Sequence, residues 1–129
     1  MSKRSTSRRL AMQVMFQLDL GQKDLDFLLE QSAQSEKLIA ETVDFARLLV
    51  EGARANQPEI DRIISEKSIG WSLDRLTKVD RAILRLAIHE IKYLRTPPSV
   101  VINEAVNLAR KFSTAESSKF VNGILGSLV

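Results

Sequence analysis

Apolar residues recur every three or four positions along most of this chain, and such spacing predicts amphipathic helices. The first predicted helix begins between residues 5 and 7 and ends at Leu20, where Gly21 provides a C-terminal stop. Its predicted core face consists of Leu10, Ala11, Val14, Met15 and Leu18. The pattern therefore places an amphipathic helix at the start of the chain.

Six further helices follow from the same periodicity, with proline and capping residues at their ends. Thr77 and Asp80 have the spacing of a capping box, and Pro97 and Pro98 end the helix that Thr77 begins. The predicted ranges are about 24–33, 35–55, 58–67, 77–94, 99–112 and 115–128. A turn is expected at residues 68–72, and no segment alternates like a strand. The fold class is therefore all-α, with about seven helices.

Two of these helices have well-defined predicted faces. One side of the 35–55 helix carries Leu38, Thr42, Phe45, Leu49 and Gly52. The buried face of the 77–94 helix is predicted to contain Val79, Ile83, Leu84, Leu86, Ala87, Ile91 and Leu94.

Composition narrows the class of protein. A chain of 129 residues can form one domain with one core, or two small sub-bundles that share an interface. The absence of cysteine excludes disulfides, thiolate metal sites and a cysteine nucleophile. No apolar run reaches the roughly 20 residues of a membrane span, and no signal peptide is recognised. We therefore expect a cytoplasmic protein that is not bound to a membrane.

Charge is unevenly distributed along the chain. Residues 1–20 carry a net charge of +3, residues 21–70 carry −4, and residues 71–95 carry +3. Two basic segments thus flank an acidic one, which favours a polyanionic partner at one surface.

The sequence contains few residues that could act as catalytic groups or metal ligands of an enzyme. His89 is the only histidine, and Tyr93 stands where a zinc protease would need a second one. Glu90 lies on the apolar face of its predicted helix. It is either a catalytic acid with a raised pKa or, as is more common, a group that hydrogen-bonds a nearby element and fixes packing. We therefore expect neither an enzyme nor a cofactor or metal.

Three basic surfaces could contact RNA. Lys78, Arg81, Arg85 and Lys92 form one helical stripe, which is either a solvated face or a phosphate-binding one. Arg9 lies near Phe16, and a cation beside an exposed ring suits single-stranded RNA, unless the ring packs on a neighbouring helix.

The third basic surface is on the last helix. One of its sides carries Lys119, Asn122, Gly123 and Gly126. Glycine is unfavourable inside a helix, so two on one face indicate close approach by a neighbouring helix or by a ligand.

Three blocks of sequence resemble the NusB family of transcription antitermination factors. They are LDRLTKVDRAILRLAIHEI, PPSVVINEAVNLARKFS and SSKFVNGILG, and the basic residues before AMQVMFQLDL fit the same family. The resemblance implies one NusB-like RNA-binding domain over residues 1–129, built from two packed three-helix sub-bundles and an additional helix. It implies binding to the boxA element of nascent ribosomal RNA operon transcripts. The implied partners are NusE, which is a small-subunit ribosomal protein, and the RNA polymerase elongation complex with other Nus factors.

The resemblance also implies a set of functional residues. The RNA-binding positions would be Lys3, Arg4, Arg8, Arg9, Gln13, Phe16, Asp80, Arg85, Lys119, Phe120 and Asn122. Glu116 would lie at the NusE interface. Phe120 also falls on an apolar helical face, so a core role competes with RNA contact.

Other interpretations remain open. A helical protein-interaction module would reach RNA mainly through its partner, and a homodimer would bury the RNA surface. The N-terminal domain of some ribosomal RNA cytosine methyltransferases is similar too. Those enzymes need a further catalytic domain with a cysteine nucleophile, which this sequence lacks.

Overall fold

Helix α1 (Lys3–Asp19) begins earlier than the sequence predicts, because Ser2 caps it. The Ser2 hydroxyl accepts a hydrogen bond of 3.0 Å from the Ser5 backbone N–H. At the other end, the chain turns at Gly21, whose φ of 110° lies in the region that favours glycine. Gly21 is therefore the helix stop that the sequence predicts.

The computed structural model describes residues 2–22, 24–68 and 76–129. Within these ranges the regular structure is helical, and no strand is present. The all-α prediction is confirmed for this part of the chain. Residues 69–72 of the predicted turn lie outside the described residues. None of the described helices is long and apolar enough to cross a membrane.

The boundary between the second and third helices differs from the prediction. Helix α2 (Leu25–Glu36) is capped by Asp24 and continues three residues beyond the expected end. Lys37 then adopts a left-handed conformation with a φ of 56°, which breaks the helix. Helix α3 (Ala40–Ala55) begins only after this break, so the predicted start at residue 35 is wrong.

The fourth and fifth helices largely follow the prediction. Helix α4 (Gln57–Lys67) has a proline in its first turn, and Thr77 caps helix α5 (Lys78–His89) by accepting from the Asp80 backbone N–H. The predicted helix from Thr77 to Leu94 is confirmed in extent, but its last turn, Glu90–Leu94, is π-helical.

The π-helical turn changes which side chains face the core. A wider turn shifts the helical phase, so residues beyond it rotate off the face that the α-helix established. Leu94, the last residue of this turn, is 36% exposed, and its predicted place in the core is wrong. Val79 and Ile91 are partly buried, while the other predicted core residues of this helix are buried.

Two three-helix bundles account for the architecture. Helices α1, α2 and α3 contact one another. Helix α5, helix α6 (Pro98–Phe112) and helix α7 (Ala115–Gly126) form the second mutually packed set. Helix α4 is the additional helix and packs against α3 and α5. The predicted arrangement of two sub-bundles is therefore confirmed for the described residues.

Helix α5 joins the two bundles. It packs against α1 and α3 on one side and against α6 and α7 on the other. Nearly its whole length is buried, including the polar side chains of Asp80, Arg85 and His89. A helix that is buried on all sides must pair its polar groups inside the protein. The charged side chains of α5 are therefore expected to have partners on other helices.

Candidate nucleic-acid interface

The basic start of α1 is already paired with other parts of the chain. Lys3 Nζ lies 3.3 Å from Glu41 Oε2 of α3, and both side chains are exposed. The Arg4 guanidinium lies 3.7 Å above the centre of the Phe45 ring, a cation–π contact. These two cations remain near the solvent but do not project into it freely.

Arg8 is buried, although the family resemblance implies an RNA contact. Its Nε and Nη2 donate to the two carboxylate oxygens of Glu90 at 2.7 and 2.9 Å. Arg8 is only 8% exposed and also lies 3.6 Å from a Glu104 oxygen. The hydrogen bond to Glu90 raises the pKa of Arg8, so the guanidinium stays charged. A direct phosphate contact by Arg8 is not available in this arrangement.

Glu90 fixes packing, as the more common of its two interpretations predicts. Besides Arg8 it accepts a hydrogen bond of 3.2 Å from the Thr96 hydroxyl, which lies just beyond the π-helical turn. Both of its oxygens are therefore engaged by structural partners. The carboxylate joins α1 to the end of α5 and is not placed as a catalytic acid.

Arg9 is partly exposed and lies at the edge of a cleft. It donates to Glu36 Oε1 at 2.5 Å and to Gln13 Oε1 at 2.8 Å. Gln13 lines this cleft together with Phe16. The remaining lining residues are Met12, Gln17, Ser32, Val79 and Phe112. Phe16 is only partly buried, so part of this residue remains accessible in the cleft.

A second cleft lies where the N-termini of α5 and α7 meet. It is lined by Leu76, Thr77, Asp80, Thr114, Glu116, Ser117, Lys119 and Phe120. Val79 of the first cleft and Asp80 of the second are consecutive residues in the first turn of α5, so this turn contributes to both clefts. We call this pair the double cleft.

Asp80 is the buried polar group of the second cleft. Its Oδ2 accepts a hydrogen bond of 2.8 Å from the Ser117 hydroxyl, which ties α5 to α7. Its Oδ1 is buried and has no hydrogen-bond partner among the described residues. An unsatisfied buried acceptor favours a donor group from a ligand or from water. Glu116 lies exposed at the rim of this cleft.

Helix α7 presents an open polar side next to this cleft. Lys119, Asn122, Gly123 and Gly126 are all exposed. A Cβ atom added at either glycine would meet nothing within 4 Å. The expectation that a neighbouring helix of this chain approaches these glycines is therefore wrong, and the ligand alternative remains. Phe120 is partly buried against the core and also lines the cleft, so its two interpretations are compatible.

The predicted basic stripe on α5 is not a free surface. Arg85 is 6% exposed and donates two hydrogen bonds, of 2.8 and 3.0 Å, to Asp61 of α4. Lys78, Arg81 and Arg85 also surround Asp19 at the end of α1, at 3.4 to 3.9 Å. Both interpretations of the stripe are wrong for Arg81 and Arg85, because their side chains form ion pairs between helices. Arg85 is not placed for RNA contact.

The carboxylates that pair with these cations were missed by sequence reasoning. Glu36, Glu41 and Asp61 belong to the acidic segment, and Asp19 and Glu104 lie outside it. The excess of acidic residues in 21–70 indicates that they pair with the basic segments, but it does not show which side chains form the ion pairs. Among the described residues, no group of three or more His, Cys, Asp or Glu side chains is arranged to hold a metal ion.

Comparison with known proteins agrees with this architecture. The sequence model of the NusB family matches residues 5–129. The transcription antitermination protein NusB of Symbiobacterium thermophilum is 45% identical over 135 residues, covering 98% of this chain and 88% of that protein.

Solved structures are similar as well. A chain in the crystal structure of the antitermination factors NusB and NusE in complex with double-stranded RNA has a TM-score of 0.89 and 30% identity. The match covers 99% of this chain and 96% of that one. NusB from T. maritima has a TM-score of 0.87 and 35% identity, with 99% and 90% covered.

Fold and surface together define an all-helical protein of two joined bundles, with the first cleft between the bundles and the second between α5 and α7. The chain belongs to the NusB family, and the resemblance noted in its sequence is confirmed. The relatives compared here are described as antitermination proteins and not as enzymes.

Proposed function

We propose that this protein is a cytoplasmic, non-enzymatic transcription antitermination factor that binds boxA RNA of ribosomal RNA operon transcripts together with NusE. The complex would join elongating RNA polymerase with other Nus factors and suppress premature termination. The observation that carries the proposal is the double cleft, which combines partly exposed aromatic side chains with polar side chains in a chain of the NusB family.

The double cleft has the chemistry that single-stranded RNA requires. Phe16 offers a ring on which an unstacked base can lie, and Gln13 offers an amide at its edge. Asp80 is buried beneath the cleft, where its hydrogen bond to Ser117 holds α5 and α7 together. Lys119 and Asn122, both exposed on α7, provide a cation for phosphate and a further polar group. Phe16 and Gln13 would thus contact bases, and Lys119 would contact the RNA backbone.

Arg8 and Arg85 have a different role in this proposal. Both are buried in ion pairs, so they position the helices that form the double cleft and do not touch RNA. Phosphate neutralisation then falls to the exposed or partly exposed cations Lys3, Arg4, Arg9 and Lys119.

The cations at the start of α1 are already paired within the chain, and this favours RNA binding that depends strongly on NusE. Lys3, Arg4 and Arg9 are already in contact with Glu41, Phe45 and Glu36, so the cations at the start of α1 are engaged when the chain is alone. This observation supports the second candidate, a protein-interaction module that reaches RNA mainly through its partner. Glu116, exposed at the rim of the second cleft, is our candidate for the NusE side.

The test is the affinity for a boxA RNA and for a scrambled RNA across a salt series, with and without NusE. We expect preference for boxA, an increase in affinity with NusE, and a clear dependence on salt. No preference under either condition would contradict the RNA-binding proposal. Preference that appears only with NusE would support the interaction module. Sedimentation of the free chain shows whether a homodimer competes with RNA.

Substitution of Phe16 tests the double cleft itself. Phe16→Ala should weaken boxA binding by roughly tenfold, since stacking of a base on a ring contributes about 1–3 kcal/mol. Phe27→Ala is the matched control, because Phe27 is 58% exposed on α2 and does not line either cleft. Equal effects of the two substitutions would remove Phe16 from the RNA surface.

A further inference from the structure

The carboxylate of Glu36 binds the guanidinium of Arg9 in the way that a phosphate group would. Arg9 Nη2 lies 2.5 Å from one carboxylate oxygen of Glu36 and Nη1 lies 3.4 Å from the other. Carboxylates and phosphates are both bound by the fork of an arginine, and they compete for the same donors. The outer nitrogens of Arg9 are therefore taken before any RNA arrives.

This ion pair differs from the buried pair next to it. The side chains of Arg9 and Glu36 are 17% and 37% exposed, whereas those of Arg8 and Glu90 are 10% and 3% exposed. Opening the buried pair would leave a charge without solvent, which is strongly unfavourable. Opening the Arg9–Glu36 pair leaves Glu36 in water, since it is the last residue of α2 and precedes the break at Lys37. Only this second pair is suited to exchange.

The pair also borders the double cleft. Arg9 donates to Gln13, which lines the cleft beside Phe16. Ser32, one turn before Glu36 on α2, lines the same cleft from the opposite helix. A phosphate placed at this edge would meet Arg9 and Glu36 together.

We propose that Glu36 is an internal competitor for RNA phosphate at Arg9 and thereby sets the RNA affinity of this protein. The inference rests on the proposed RNA-binding function and adds a determinant to it. On binding, the guanidinium exchanges the carboxylate for a phosphate, and Glu36 turns into solvent. The unpaired carboxylate remains near the RNA and offsets much of the charge that Arg9 contributes.

Removal of the carboxylate should therefore strengthen binding. We expect Glu36→Gln to raise the affinity for boxA and scrambled RNA alike by roughly twofold to fivefold, which is the upper part of the range of a partly exposed ion pair. The dependence of log affinity on log salt should become steeper by up to about one unit, because Arg9 then acts on the RNA as a full charge. Scrambled RNA gains as well, since the exchange involves phosphate and not a base.

The experiment uses four variants of the full chain: Glu36→Gln, Arg9→Ala, the double variant, and Glu66→Gln. The last is the matched control, because Glu66 also pairs with an arginine, Arg62, but on helix α4. Glu66→Gln should change the affinity by less than about twofold. In the Arg9→Ala background the gain from Glu36→Gln should fall well below its value in the wild type, since no guanidinium remains to be released.

The outcomes separate this inference from the function on which it rests. If the wild type binds RNA and Glu36→Gln changes neither affinity nor salt dependence, the competitor role is wrong and the proposed function stands. An equal gain with and without Arg9 would also overturn the inference, because it would reduce Glu36 to a distant repulsive charge. If neither the wild type nor any variant binds RNA, with or without NusE, both fail together.

Discussion

At the scale of single residues, Gly52 shows how one missing side chain permits a buried one. The imidazole of His89 lies against Gly52 of α3, and a Cβ added there would come within 2.2 Å of His89 Nε2. The ring of Tyr93 also stacks on the imidazole, with centroids 5.6 Å apart. The close packing of α5 on α3 at this point therefore depends on glycine.

Gly52→Ala should destabilise the protein by about 1–3 kcal/mol, because the overlap with a confined ring forces the helices apart. Gly123→Ala is the matched control, since its Cβ would meet open space. Inside a helix that second change should be neutral or stabilising by up to about 1 kcal/mol. Urea denaturation measures both effects, and effects of the same sign would contradict the close approach at Gly52.

His89 should make stability dependent on pH. Burial lowers its pKa, and the nearby Glu90 opposes this only in part. The unfolded chain therefore takes up the proton more readily than the folded one, so stability is lost as pH falls below the unfolded value of about 6.5. His89 is the sole histidine, so this loss should stand out between pH 7.5 and 5.5.

His89→Gln removes the titrating ring and should flatten the pH profile of the urea midpoint over that range. The absolute midpoint can change in either direction without affecting the test. A profile as steep as that of the wild type would show that another group titrates.

At the scale of elements, ion pairs between helices hold the two bundles in place. Arg8 of α1 and Glu90 at the end of α5 are 82 residues apart in sequence and form a bidentate pair. Asp19 at the other end of α1 faces the cations of α5. Helix α1 is therefore fixed against α5 near both of its ends.

Breaking one of these pairs should be costly. Arg8→Ala leaves the Glu90 carboxylate buried without its partner, and we expect a loss of about 3–5 kcal/mol in the free energy of unfolding. The double variant Arg8→Met with Glu90→Leu should recover most of that loss, since neither charge remains buried.

Arg62→Ala provides the comparison on the surface. Among the described residues, exposed Arg62 pairs with Glu59 and Glu66 of its own helix α4, so its loss should leave the urea midpoint nearly unchanged. A loss at Arg8 no larger than that at Arg62 would show that the Arg8–Glu90 pair does not hold the helices.

At the scale of the whole molecule, many charged side chains form ion pairs with one another. The acidic carboxylates of α2, α3 and α4 pair with cations of α1 and α5, so several of the cations that a polyanion could contact are already engaged. A partner that supplies further cations would complete the RNA surface. Each of RNA and NusE would then strengthen binding of the other by the same factor.

Titration calorimetry can check this reciprocity. The factor by which NusE raises the affinity for boxA RNA should equal the factor by which boxA RNA raises the affinity for NusE. We expect a factor of roughly 5 to 150, which is the usual range of such coupling. Unequal factors would show that the three components do not form one complex at equilibrium.

The sequence by itself determined the class of this protein. Helix periodicity, the cap at Thr77, the stop at Gly21 and the motifs of α5, α6 and α7 depend on residues close together in the chain. The helical periodicity was sufficient for the all-α fold and the motifs for the family, and the two bundles followed from the family resemblance. Ser2 and Lys37 set boundaries that were missed, because several residues in each segment could act as cap or break.

Only the tertiary structure decided which cations are available. Arg8, Arg9 and Arg85 look alike in the sequence, yet Arg8 and Arg85 are buried in ion pairs while Arg9 lies at the edge of the double cleft. Their partners are 24 to 82 residues away. Periodicity places a side chain on a helix face but does not say which face of another helix it meets. Burial and ion pairing depend on these contacts between helices, so they are known only from the packed structure.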